Sequence, residues 1–186
     1  MSADMLRGSP RVLFGPQRPV DAGATAPPRF SLLLLLAAVA VLLQVTFAHA
    51  WTLRGAQPSL LTVLIVWTGL RCGPTTGGWL GLFGGALEDA LGGGGANVLG
   101  GALVGFLSGL LSSRYFADSL TVVIAAVAGG TIVRNAVTYI VLEVAFGDRG
   151  TYHRLAHATA WEVLLNCTLA AIVVLALRWW SNRGTS

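Results

Sequence analysis

Six apolar runs follow one another along this chain with only short connections, and that succession restricts the fold more than any other feature. The runs cover about residues 30–50, 59–72, 74–91, 98–113, 119–146 and 154–180. A helix of about 20 apolar residues crosses the roughly 30 Å hydrocarbon core of a bilayer. Backbone groups in lipid must be satisfied internally, and none of the runs alternates like a barrel strand, so helix is the state open to them. Only 11% of the residues are charged and 54% are hydrophobic, against about 25% charged in an average soluble domain. The expected fold is an all-α membrane protein, with about six transmembrane helices in one bundle that fills residues 30–180 as a single domain. The middle helices are short, since residues 98–113 reach only about 24 Å at about 1.5 Å per residue. The last two are long enough to tilt or to project beyond the bilayer.

The flanks are polar. Residues 1–29 carry Pro10, Pro16, Pro19, Pro27 and Pro28 with four arginines, a composition expected of a disordered arm. Residues 181–186 form a short tail. With the N-terminus inside, Arg7, Arg11, Arg18, Arg29, Arg71, Arg114, Arg178 and Arg183 face the cytoplasm, and Arg54, Arg149 and Arg154 face outward. That asymmetry follows the positive-inside rule, with both termini cytoplasmic in a multi-pass inner-membrane protein. Trp51, Trp179 and Trp180 stand at span ends as interfacial anchors. A rival reading treats Leu32 to Leu43 as a signal-peptide core and Ala48-His49-Ala50 as its cleavage site. It leaves the topology of the other helices unchanged.

Several function classes find no support. A formal charge of +4 is too small and scattered for a nucleic-acid site. Cys72 and Cys167 make neither a CxxC pair nor a zinc spacing and read as packing residues. His153 and His157 share a helix face but lack a third ligand nearby in sequence, so no metal is expected. No serine or cysteine has the neighbours a nucleophile needs. Gly92-Gly93-Gly94-Gly95 reads as a hairpin turn, because it lacks the lysine and the strand of a phosphate loop. No cofactor and no catalysis are expected.

Two features remain. Gly73, Gly77, Gly81 and Gly85 recur at every fourth position in the third run, and Gly101, Gly105 and Gly109 do so in the fourth. In lipid such small-residue seams let helix backbones approach closely. The seams either pack the two helices on each other or receive a partner's helix. The second feature is a set of ionisable residues inside the spans: Glu88, Asp89, Arg134, Glu143 and Glu162. Such residues are costly at depth and should face protein or water with partners. Counting from the span ends places Asp89 and Arg134 about 22 Å, and Glu162 about 18 Å, above the inner boundary. Glu143 falls at the outer interface. Thr131, Arg134 and Thr138 share one helical face, as do Glu162 and Asn166. Arg134 is therefore expected to be neutralised by Asp89 or Glu162, either as a structural pair or as part of a ligand or proton site.

The sequence resembles the rod shape-determining MreD family. The resemblance runs from about Phe30 to Leu111 and continues more weakly through the last two helices. It is carried by Leu42-Leu43-Gln44-Val45-Thr46, Gln57-Pro58-Ser59-Leu60-Leu61, Gly85-Ala86-Leu87-Glu88-Asp89 and Gly101-Ala102-Leu103-Val104-Gly105-Phe106-Leu107-Ser108-Gly109. The family pattern often has an acidic residue where this chain has Ser59, and a tyrosine where it has Phe106. The resemblance implies a non-catalytic scaffold of bacterial cell-wall elongation that works with MreC, the MreB cytoskeleton and the wall glycosyltransferase and transpeptidase. On that reading Gly81 and Gly105 belong to the docking surface. The family is also similar to the substrate-binding components of energy-coupling-factor transporters, which implies a small polar, vitamin-type ligand as the alternative.

Overall fold

The computed structural model describes residues 28–52, 55–92, 95–112, 119–146 and 152–183. Among them are six helices: α1 Phe30–Trp51, α2 Leu60–Cys72, α3 Pro74–Gly92, α4 Asn97–Ser112, α5 Leu120–Phe146 and α6 Tyr152–Arg183. Each expected run is a helix. The sixth is longer than expected at both ends and continues through residues 181–183. Residues 1–27, 184–186, Gly93 and Gly94 lie outside the described residues, as do the side chains of Ala48, His49, Ala50 and His153. The expectations of a disordered arm and of a cleavage site fall largely there.

Three of the helices, α1, α5 and α6, are long and apolar enough to cross a membrane. Each offers only a narrow inward stripe. In α1, Leu33, Ala37 and Val41 are buried at four-residue intervals, while Leu32, Leu35, Leu36, Val39 and Leu42 are exposed. Apolar side chains on an outer surface are what a lipid solvent requires and what water would penalise.

The centre of the bundle is α2. It buries Leu61, Thr62, Val63, Ile65, Val66, Thr68, Gly69 and Leu70, which leaves almost no free face. It packs on each of the other five helices. Its length, about 20 Å at about 1.5 Å per residue, is short of a full crossing, and its N-terminus stops at a polar region described below. Ser59 caps that end, its Oγ accepting from the Thr62 amide at 3.2 Å. At the other end Gly73 takes φ 89°, its N–H bonding the Gly69 carbonyl at 2.9 Å. Pro74 then opens α3, where its missing N–H costs nothing. The sequence spacing had placed Gly73 in the seam; it is a turn residue with open space around it.

The most extensive helix pair is α3 on α4, and the glycine seams are its contact surface. A methyl group added at Gly101 would stand 2.5 Å from the Gly81 carbonyl oxygen. One added at Gly81 would overlap the Gly101 carbonyl, and the same holds for Gly105 with Gly77, Gly77 with Gly105 and Gly85 with Asn97, while one at Gly109 would overlap the Pro74 nitrogen and Cα. Gly69 brings α2 into the same junction, 2.7 Å from the Gly105 oxygen by the same measure. Of the two readings of the seams, the structure takes internal packing. Gly81 and Gly105 face each other's helices and present no surface to a partner. What α3 and α4 expose instead is larger and apolar, including Trp79, Phe83, Leu103 and Phe106.

Candidate functional site

The polar residues of the spans converge at one end of the bundle. They come from the C-terminal halves of α1, α3 and α5 and the N-terminal parts of α2, α4 and α6, so successive helices alternate in direction around them. Arg134, only 6% exposed, is the hub. One terminal nitrogen, Nη2, donates to Glu88 Oε2 in an ion pair and to Asn97 Oδ1 at 2.9 Å. The other, Nη1, donates to Ser59 Oγ at 2.8 Å and to Thr62 Oγ1. The second carboxylate oxygen of Glu88 accepts from Gln44 Nε2 at 2.8 Å. A buried pair is tolerable when its remaining donors and acceptors find partners, and here both terminal nitrogens of Arg134 and both carboxylate oxygens of Glu88 are hydrogen-bonded.

The network closes through α6. The Ser59 N–H donates to Asn166 Oδ1 at 2.6 Å, which fixes the amide orientation. Asn166 Nδ2 then donates to Thr131 Oγ1 at 3.0 Å, and that hydroxyl donates to the Val127 carbonyl at 2.9 Å. Every helix thus contributes at least one member, and Asn166 and Thr131 are fully buried.

Arg134 is paired, but not with the expected partners. Asp89 lies about 100° around the helix from Glu88, in line with Gly81 and Gly85, and so faces α4. There it accepts from the Asn97 and Val98 amides, each at 3.1 Å, and from Asn97 Nδ2 at 2.8 Å. A carboxylate over two free amides at a helix N-terminus is a capping interaction favoured by the helix dipole. Glu162 is held by Asn135 Nδ2 at 2.7 Å, with Thr159 Oγ1 sharing the same amide at 3.1 Å. Glu143 is exposed.

An acidic residue at Ser59 would stand against Arg134; the serine hydroxyl offers it a neutral oxygen at 2.8 Å, and among the described residues the ion pair of Arg134 is with Glu88. Gln44, Asn97 and Asn135 escaped the sequence reading. Gln44 was the findable one, a lone amide in an apolar run that has no other reason to carry it.

Asp89→Ala removes the acceptor of both α4 amides. It is expected to destabilise the protein by about 1–2 kcal/mol, the usual cost of losing an N-cap. Thermal melting of the purified chain in detergent measures it, and Asp89→Asn should recover part of the loss.

Beside the network is a cavity of about 250 Å³. Gln44, Glu88, Arg134, Asn135, Thr138 and Glu162 line it, and the Gly55, Ala56 and Gln57 connection lies across it. Among the described residues, no group of three or more histidine, cysteine, aspartate or glutamate side chains is arranged to hold a metal.

A family model for the rod shape-determining protein MreD matches residues 27–183, which takes in all six helices and the polar network. No curated protein and no solved structure matches the chain.

Proposed function

The chain belongs to the MreD family of rod shape-determining proteins, and from that premise we propose that it is a non-catalytic scaffold of the wall-elongation machinery. The family match over residues 27–183 is the observation that carries this reading. In it the chain spans the bacterial inner membrane six times with both termini in the cytoplasm, as the arginine distribution favours. The polar network then lies toward the outer side. The chain binds MreC and the peptidoglycan glycosyltransferase and transpeptidase, and meets the MreB cytoskeleton directly or through them.

The architecture suits such a role. A bundle locked by an internal hydrogen-bond network to which every helix contributes presents fixed outer faces, and fixed faces lose little freedom when a partner helix docks. The exposed aromatic and aliphatic side chains of α3 and α4, rather than their glycines, are the surface this reading offers to a partner.

The cavity supports a second reading, the substrate-binding component of a transporter for a vitamin-type molecule. Its size argues against that. At about 250 Å³ it falls below the range of about 300–1,000 Å³ usual for drug-sized ligands.

Affinity purification of the intact chain in mild detergent, with mass spectrometry of bound proteins and small molecules, tests the two readings together. The scaffold predicts MreC and the wall synthases without a stoichiometric ligand. Recovery of a vitamin-type molecule together with an ATPase-bearing complex would replace it with transport.

A further inference from the structure

The polar network leaves a remainder, and the remainder faces the cavity. Arg134 and Glu88 neutralise each other one to one. Both terminal nitrogens of Arg134 are committed, to four oxygens in all. Asp89 faces the amides of α4. Glu162 is therefore left with an amide donor, Asn135, and among the described residues no cation is ion-paired with it. Two further oxygens, Gln44 Oε1 and Thr138 Oγ1, are buried and have no hydrogen-bond partner among the described residues. Both residues line the same cavity as Glu162.

A buried acceptor without a donor costs about 1–3 kcal/mol, and an uncompensated carboxylate costs more. Natural structures seldom keep such groups without an occupant that answers them. Among the described residues, the charged groups lining the cavity are Arg134, Glu88 and Glu162, which sum to one negative charge. The open hydrogen-bonding capacity is on oxygen: Gln44 Oε1 can only accept, and the Thr138 hydroxyl can accept as well as donate. The occupant that satisfies both conditions carries one positive charge and several N–H donors. The volume admits about eight waters at about 30 Å³ each, so a small head group fits with some of its hydration retained.

We propose that this cavity is a binding site for one hydrogen-bond-donating cation, an ammonium or guanidinium group, held by the Glu162 carboxylate and the Gln44 and Thr138 oxygens. The group can belong to a free small molecule or to an amine-bearing lipid head group. The inference rests on the cavity alone and does not depend on the scaffold reading.

The test uses the full chain in nanodiscs of phosphatidylglycerol, which has no amine, at constant ionic strength. The thermal midpoint is followed while ethylammonium, guanidinium or tetramethylammonium is added. Ethylammonium or guanidinium should raise the midpoint saturably. Tetramethylammonium has the charge without the donors and should not. Glu162→Gln should weaken the response at least about tenfold, as loss of a charge-assisted hydrogen bond does. Thr138→Val keeps the charge and should weaken it about threefold, a fraction of that bond's worth, which keeps the test decisive if the first variant does not fold. Glu143→Gln, on the exposed side of α5, should respond as the parent does. In nanodiscs of phosphatidylethanolamine, loss of the response to added ethylammonium identifies the lipid head group as the source, and its persistence identifies a free molecule. An equal rise with tetramethylammonium, or an undiminished response in both Glu162→Gln and Thr138→Val, overturns the proposal.

Discussion

Gly81→Leu is expected to yield no monodisperse folded protein, and even Gly81→Ala should lower stability by more than about 2 kcal/mol, within the range for overpacking. A methyl group at Gly81 would overlap the carbonyl of Gly101 on the facing helix. Overpacking costs are moderate where a side chain can turn aside; a backbone carbonyl cannot turn aside without parting α3 from α4. Parting them also disturbs the contact of Gly69 in α2, which meets the same seam. Against this stands only the better helix propensity of alanine, about 1 kcal/mol. Gly129→Ala is the matched control. Its new methyl group would meet nothing within 4 Å, so the propensity gain should appear undiminished. Size-exclusion profiles and thermal melting in detergent read both outcomes. The comparison also separates internal packing from partner docking. If the seam served a partner helix, Gly81→Leu would fold normally and lose only the partner.

The same residues show how far a sequence of this kind can be read. The helices were legible because lipid leaves the backbone few choices, and apolar runs bounded by glycine, proline and arginine mark the ends closely. The seam was legible as a seam, but not its direction. Four-residue spacing says that a face is smooth; only the approach of α4 says what lies on it. Counting along the helices set Asp89, Arg134 and Glu162 at one depth. What depth cannot give is azimuth. Glu88 and Asp89 are neighbours in the chain at almost the same height, yet one points at Arg134 and the other at the start of α4. The seam held the clue, since Asp89 extends the row of Gly81 and Gly85 and must face whatever they face. The contribution of Asn97 was beyond reach for a different reason. A neutral amide announces no partner until the carboxylate and guanidinium around it have been placed.

Removing either member of the Arg134–Glu88 pair should be the most damaging change available in the polar region. Glu88→Gln leaves a guanidinium buried with no counter-charge, and Arg134→Met leaves the carboxylate so. Each is expected to cost about 3–5 kcal/mol, as breaking one side of a buried pair does. The double variant, Arg134→Met with Glu88→Met, should be more stable than the sum of the two losses by about 0.5–3 kcal/mol, because no charge is left stranded. Recovery should still be incomplete. Gln44 loses its acceptor, and the Ser59 and Thr62 hydroxyls lose Arg134 as a donor, keeping their mutual 2.8 Å bond and the Thr62 amide on Ser59 Oγ. Asn97 keeps Asp89. Melting of the four proteins in detergent measures the coupling directly. Strict additivity would mean that the two charges do not act as a pair, and that Arg134 is held by its neutral oxygen partners alone.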